Sequence, residues 1–419
     1  MKLVKTTFFS AIITFIRIAS GFVAGKAIAI FTGPMGVALI GAFNNLTNIL
    51  LTFANGAINA GVVKYTAEYV NDEERLKALF STAFKISVYC SAIIGLILLV
   101  FGSTLSDWLF TSELYTNPVR VLGLTIVLYS LNSLLISILN GKGQIRTYTI
   151  VNAIGNIVGL IFTLILIFFY KIEGALYALV LAQSIVFFFT AALITKSPWF
   201  SIEYFKQAFD KSIAVKLSHY SLMAIVSALT VPISQIILRN MLIGKIGIDA
   251  AGYWQAMMRI SDGYLMLITT ALTTYYLPKL SALKTDAEIR VEIFNGYRII
   301  LPAVFTGCCA IYFLRFFLIK TLYTNEFIQM ESLFFWQLVG DFFKMASWIL
   351  AFLMLAKSLT RVYVVTEIVF SISYVLIAYS FVDSHQLQGI TIAFSINYFI
   401  YFITMVVIFR KIIWNLNYK

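Results

Sequence analysis

The stretch Glu331–Lys357, ESLFFWQLVGDFFKMASWILAFLMLAK, decides the class of this protein. At about 1.5 Å of rise per residue it is long enough, and apolar enough, to cross a hydrocarbon core about 30 Å thick as one helix. Yet Asp341 and Lys344 sit about halfway along it, among Phe, Trp, Leu and Met. An ionised group near the bilayer centre costs several kcal/mol unless it faces a partner or a wet cavity, so such residues mark function. What an otherwise apolar chain does with charge in its middle is the question the remaining sequence has to answer.

Composition sets the frame. The chain has 419 residues, of which 60% are hydrophobic and 12% charged, and its mean hydropathy is +0.90. Soluble domains carry roughly 25% charged residues, so this is a polytopic membrane protein. An enzyme with an extramembrane active site would have little material to build one. The N-terminus, MKLVKTTFFSAIITFIRIASGF, has a basic start and an apolar run, but Arg17 interrupts the run and no small-x-small cleavage site follows. It reads as an uncleaved first transmembrane helix. Cys90, Cys308 and Cys309 all lie in apolar segments without metal spacing, and a disulfide framework is not expected. His219 and His385 stand alone. No catalytic group, metal site or cofactor motif is found, and nothing points to nucleic acid. A net charge of +12 agrees with an anionic partner, but cytoplasmic loops are basic in any membrane protein, so the distribution matters more than the total.

Hydropathy and loop punctuation give about twelve spans, near 9–30, 36–63, 81–103, 119–140, 148–170, 174–195, 217–241, 252–277, 297–318, 331–355, 362–382 and 389–410. Twenty Lys and Arg fall in the termini and the loops on their side, against four (Arg120, Lys171, Lys245 and Lys320) on the other. That asymmetry predicts both termini in the cytoplasm. The longest interior loop, Lys196–Lys216, separates six spans from six, which predicts an N-terminal lobe over 1–205 and a C-terminal lobe over 206–419. Two halves of equal orientation point to a parallel repeat about the membrane normal, although similarity between the half-sequences does not establish it. Pro232 and Pro302 lie inside spans, where each removes a helix hydrogen bond and should kink its helix.

Several basic residues are close enough to span ends to reach the headgroups: Lys85, Arg120, Arg239 and Arg315, with Lys26 at the margin. Arg17, Arg259 and Lys344 are deep, as are Asp262 and Asp341. Arg259–Asp262 and Asp341–Lys344 both have i,i+3 spacing, which puts each pair on one helical face. They read either as ion pairs holding the bundle together or as the lining of a wet lumen, with the acids available for proton or cation coupling. Two such pairs in one half, with Arg17 in the other, favour the lumen. Asn44, Asn48, Asn55 and Asn59 form a second pattern, falling within about 60° of one another on a continuous helix. Asn152 and Asn156 repeat the idea in the fifth span. Intramembrane Asn joins helices for about 0.6–2 kcal/mol. The other reading is a lumen face of amides suited to hydroxyl-rich substrates.

At this point the residues resemble a family. Gly33-Pro34-Met35-Gly36, GVVKYTAEY (Gly61–Tyr69), LSHYSLMA (Leu217–Ala224), YWQAMMRISDGYL (Tyr253–Leu265), YYLPKLSAL (Tyr275–Leu283), WQLVGDFFK (Trp336–Lys344) and AKSLTRVYVVTE (Ala356–Glu367) are similar to Wzx-type flippases. These are the lipid-linked oligosaccharide translocases of O-antigen and enterobacterial common antigen synthesis, in the superfamily of multidrug, oligosaccharidyl-lipid and polysaccharide exporters. The resemblance implies an all-α, MATE-like fold of two six-helix lobes around a central cavity. It also implies a substrate, an oligosaccharide on a polyprenyl (undecaprenyl) diphosphate, moved from the cytoplasmic to the periplasmic leaflet by alternating access. It implies contact with membrane lipid, and a polysaccharide polymerase and a chain-length regulator as partners. Arg17, Lys26, Arg239 and Lys344 match a cationic lumen that would accept the diphosphate, Asp262 and Asp341 match as coupling or ion-pair residues, and Arg259 joins the cations by its depth. Asn44 stands where close relatives can carry a basic residue. Charge-assisted hydrogen bonds from Arg and Lys suit diphosphate oxygens, so the residues and the resemblance agree on an anionic substrate.

Two rivals remain on sequence grounds. An ion-coupled multidrug exporter of the same superfamily would favour acidic or aromatic pockets for organic cations, whereas this membrane interior holds more deep base than acid. A membrane enzyme acting on the same lipid carrier would need a sizeable loop with acid or His chemistry, and the loops near 104–118, 171–173, 242–251, 319–330 and 383–388 are short.

Overall fold

The computed structural model describes residues 2–197, 199–357 and 359–414, with side chains from Thr14 onward except at positions 219, 220, 223, 271, 274, 278 and 282. Pro198, and the side chains of His219 and Pro278, therefore lie outside the described set. The described chain is helical throughout, and contacts divide it into two compact units. The first holds Met1–Thr32 and Leu39–Pro232, and the second Gly33–Ala38 and Ile233–Lys419.

The first unit begins with α1 (Lys2–Ala54), which carries the first two expected spans and turns at Gly33, where φ is 62°. The second span is not one helix. It unwinds over 55–58, with Gly56 at φ 61° and Ala57 at φ 56°, and resumes as α2 (Asn59–Glu68). Backbone polar groups freed inside a bilayer must find partners within the protein. Here Ser130 Oγ donates to Ala54 O at 3.2 Å and Ser221 Oγ donates to Gly56 O at 3.1 Å. Next come α3 (Glu73–Val100), capped by Asp72, the short α4 (Gly102–Phe110) and α5 (Thr116–Gly141). Then α6 (Ile145–Ile194) holds two spans folded back on each other at Lys171 (φ 52°, ψ −128°).

The segment from 196 to 210, read as a loop, is docked rather than free. Phe80 of α3 packs against Trp199, Tyr204 and Phe205, with ring centroids 5.8–6.4 Å apart. Lys142 lays its ammonium over Trp199, Tyr204 and Phe80 at 4.6, 5.7 and 5.8 Å, and burial there holds its pKa below the usual lysine range. Ser81 and Lys85 both donate to the Gln207 carbonyl.

The division between units falls within α7 (Lys211–Lys245), which contains Pro232 without a non-helical residue. The second unit continues with α8 (Ile248–Ala271), a π-turn over Leu272–Tyr276 and the short α9 (Leu277–Ala282). A capping box of Thr285 and Glu288 starts α10 (Asp286–Phe313), followed by α11 (Arg315–Leu322) and α12 (Phe334–Ala356). Then α13 (Thr360–Ile408) folds back at Gln386 (φ 50°, ψ −134°), and α14 (Arg410–Trp414) follows. The core of this unit gathers Leu280, Ile293, Ile349, Leu353 and Met405.

Among the described residues eight helical segments are long and apolar enough to cross a membrane, and α1, α6 and α13 hold two spans each. With α8, whose Asp249, Arg259 and Asp262 lower its hydropathy, the expected spans are accounted for. The chain is a multi-pass, all-α membrane protein of about twelve spans. The hairpins of α6 and α13 turn in the same way. Lys171 and Gln386, the reversal points of α6 and α13, are 215 positions apart, and so are Gly174 and Gly389 beside them. The same offset superposes Lys142, Arg146 and Tyr148 on Lys357, Arg361 and Tyr363.

Candidate functional site

The charges that opened the question lie in the second unit, on α8 and α12. Asp341 is fully buried and saturated with donors. Ser261 Oγ donates to both of its oxygens, at 2.8 and 2.7 Å; Tyr264 OH donates to Oδ2, and Gln337 Nε2 donates to Oδ1 at 3.2 Å. One residue along α8, Asp262 faces Lys344, with Oδ1 3.9 Å from Nζ. Lys344 is buried, while the Asp262 side chain is 61% exposed. Three rings surround the ammonium: Trp348 at 5.3 Å, Tyr398 at 5.8 Å and Phe394 at 5.9 Å.

The two i,i+3 pairs of the sequence thus re-sort across helices. Consecutive residues of α8, Ser261 and Asp262, meet Asp341 and Lys344 of α12 as two rungs. Lys344 has reason to turn from Asp341. Its long stem reaches one turn onward to Trp348, where the ring faces attract it, while Asp341 already has neutral donors on both oxygens. Arg259 is half-buried and forms no ion pair among the described residues. Arg239 is buried, with Nη1 donating to Asn240 Oδ1 at 3.0 Å.

In the first unit, Arg17 is exposed and Lys26 half-buried, both on α1. The asparagine stripe divides. Asn44 and Asn48 are exposed, whereas Asn55 is buried and faces α5. Ser130 Oγ donates to Asn55 Oδ1, and Ser133 Oγ accepts from Asn55 Nδ2 at 3.4 Å and from Asn59 Nδ2 at 2.8 Å. The angular reading assumed a continuous helix, and the unwound turn at 55–58 resets the phase. Asn152 turns its amide onto the Tyr148 carbonyl of its own helix at 2.8 Å, and Asn156 is half-buried. Sequence reasoning missed Ser261, Tyr264 and Gln337 around Asp341. Their signal was present: Ser261 and Tyr264 are three apart on α8, and Gln337 is one turn before Asp341. It also missed Asn132, which accepts from Thr190 Oγ1 at 2.7 Å and donates to Gln183 Oε1 at 3.4 Å.

These contacts set an expected result. Asn55→Ala removes one of the two acceptors of Ser130 and a donor to Ser133 next to unwound backbone. A loss of about 1–2 kcal/mol in thermal stability is expected, at the upper end for intramembrane polar contacts. Asn44→Ala, on exposed surface, should leave the melting temperature unchanged.

The chain is 29% identical over 402 residues to the lipid III flippases of Escherichia coli (strain K12) and Shigella flexneri, covering 96% of this chain and 97% of each relative. Its fold is similar to that of a multidrug resistance MATE family transporter of the MOP superfamily in an inward-facing conformation. There the TM-score is 0.81 at 15% identity, over 95% of this chain and 98% of that one. A MOP superfamily transporter from Pyrococcus furiosus Vc1 (DSM3638), discussed for the reverse polarity of its binding pocket, gives a TM-score of 0.74 at 15% identity, over 97% and 96% of the two chains. At such identity the solved structures speak to fold alone. The model of the polysaccharide biosynthesis protein family, by contrast, matches residues 41–332, from the second half of α1 to just before α12, and the chain belongs to that family.

Proposed function

We propose that the protein is a flippase. It carries an oligosaccharide linked to a polyprenyl diphosphate from the cytoplasmic to the periplasmic leaflet of a bacterial inner membrane, with both termini cytoplasmic. Movement is by alternating access of two lobes, 1–205 and 206–419, and involves no covalent chemistry. The observation that carries this reading is similarity to the lipid III flippases over nearly the whole chain. In this reading Arg17, Lys26, Arg239, Arg259 and Lys344 supply positive charge for the diphosphate. The exposed Asn44 and Asn48 meet sugar hydroxyls, with Asn152 and Asn156 behind them, while Asn55 and Asn59 hold the unwound turn that positions them. Asp262, the exposed member of its pair with Lys344, answers substrate charge or a coupling ion. The product is passed to a polysaccharide polymerase and its chain-length regulator.

Deleting the gene in its host tests the proposal: an undecaprenyl-linked oligosaccharide should accumulate on the cytoplasmic face. Complementation with Lys344→Ala is expected to restore about one tenth of the flux or less, because the variant removes a desolvated cation and leaves Asp262 alone. No accumulation, together with gradient-driven efflux of a cationic dye by the purified protein, would replace the flippase by the multidrug exporter.

A further inference from the structure

A cavity of about 260 Å³ lies inside the first unit, on the side where the 196–210 segment docks. Its walls are hydrocarbon: Phe84 of α3, Leu135 of α5, Phe187 and Ala191 of α6, and Phe200 and Phe205 of the docked segment. Thr195, which also lines it, turns its hydroxyl onto the Ala192 carbonyl at 3.1 Å. The aromatic walls are fixed by their own packing, with Phe205 5.7 Å from Phe84 and 6.1 Å from Phe200. A hydrocarbon-lined space of this kind takes apolar matter in preference to water.

What surrounds the cavity specifies the occupant. Two lining residues are followed directly by exposed lysines, Thr195 by Lys196 and Phe205 by Lys206. On the same segment Ile202, also a lining residue, is 64% exposed, and Phe209 is 45% exposed. Exposed apolar side chains interleaved with lysines at the end of membrane spans are the composition of a segment lying in the headgroup layer. Glu203 is exposed on it as well, and the exposed charge from 196 to 206 remains positive. Lysines at that depth attract anionic headgroups.

We infer that the first unit holds an anionic phospholipid of the bilayer here, one acyl chain entering the cavity and its phosphate meeting Lys196 and Lys206. The lipid fills the space between α3, α5, α6 and the docked segment, and so secures the segment that leads into α7. This site is separate from the substrate reading above and does not depend on it.

The test uses the full-length protein in nanodiscs containing phosphatidylglycerol with a diazirine at the end of one acyl chain. Phosphatidylcholine with the same label is the comparison, and adducts are mapped by peptide mass spectrometry. Adducts should concentrate in peptides spanning 131–135 and 187–205 and should favour phosphatidylglycerol. Ala191→Trp, which fills the cavity, is expected to lower their yield about fivefold, and Leu135→Phe serves if that variant fails to fold. Combining Lys196→Glu with Lys206→Glu should abolish the headgroup preference while leaving the adducts in place. Even labelling of the whole lipid-facing surface, equal labelling by the two lipids in the unsubstituted protein, or unchanged yield in the filled variant would overturn the inference. Labelling of these peptides by a diazirine-bearing polyprenyl phosphate alone would overturn it too.

Discussion

Asp341→Ala is expected to destabilise the second unit by about 3–5 kcal/mol and to abolish transport, because it strips a buried network of its only shared acceptor. The hydroxyls of Ser261 and Tyr264 and the amide of Gln337 all converge on this carboxyl group, within the membrane and away from water. In an Ala variant Tyr264 keeps only the Cys308 sulfur, a weak acceptor 3.9 Å away, and of the two polar rungs between α8 and α12 the Asp262–Lys344 pair is left. Asp341→Asn separates structure from function. It keeps the shape, but one of its two acceptor positions becomes an NH₂, and a donor has to turn away. Its melting temperature should fall by less than half as much as that of the Ala variant, while transport and its dependence on pH or ion gradients change. The same logic explains how Asp341 would couple to a proton. Both oxygens already accept, so protonation turns Tyr264 or Ser261 from donor to acceptor and rearranges the rung between α8 and α12. Thermal unfolding and transport of a labelled polyprenyl diphosphate oligosaccharide in proteoliposomes check the two halves separately. An Asp341→Asn protein that transports normally at every pH and ion gradient would remove Asp341 from coupling, and an Ala variant of native stability would remove it from the scaffold.

Much of this site was legible in the sequence, because lipid makes charge conspicuous. Asp341, Lys344, Asp262 and Arg259 stand out in segments otherwise made of Phe, Leu and Met, and no packing argument disposes of them. What the sequence hides is the partner. Spacing along one helix can only nominate neighbours on that helix, so it paired Asp341 with Lys344, whereas the contacts run between α8 and α12. The neutral donors were hidden for a related reason. Ser, Tyr and Gln are common in membrane helices, and only the carboxyl they surround makes Ser261, Tyr264 and Gln337 significant. The asparagine stripe failed at a definite place. Asn44 and Asn48 share an exposed face, and the prediction breaks where Asn55-Gly56-Ala57 unwinds, since period 3.6 has no meaning across two residues with positive φ. Span count was readable from hydropathy. The offset of 215 positions between the two reversal points was not, because apolar spans offer little identity to align, and it shows only where backbone geometry restricts the residue.

Those reversal points carry the other large effect. Gly174→Ala and Gly389→Ala are each expected to cost about 3 kcal/mol, the upper end for overpacking, since the obstacle is backbone and not a movable side chain. In α6 a Cβ on Gly174 would lie 1.9 Å from the Leu166 carbonyl oxygen and 2.4 Å from its carbon. In α13 a Cβ on Gly389 would lie 2.2 Å from the Phe381 oxygen and 2.4 Å from its carbon. Real contacts of this kind stay beyond 3.0 Å, so the arms of either hairpin have to part at their tightest point. A control sits in the same hairpin. Gly159 also faces the opposite arm, but its Cβ would meet Ala182 Cβ at 3.8 Å, an ordinary contact. Gly159→Ala should therefore gain up to about 1 kcal/mol from helix propensity while Gly174→Ala loses. The turn residues predict the opposite sign again. Lys171 and Gln386 hold φ near +50° with strongly negative ψ, a strained conformation for any side chain. Lys171→Gly and Gln386→Gly are expected to stabilise by about 1 kcal/mol each, and in their presence the Gly174 and Gly389 variants should be no less damaging, because relief of the turn does not move Leu166 or Phe381. Melting temperatures of the single and paired variants decide this, and a Gly174→Ala protein as stable as the parent would mean that the arms of α6 do not close as tightly as described.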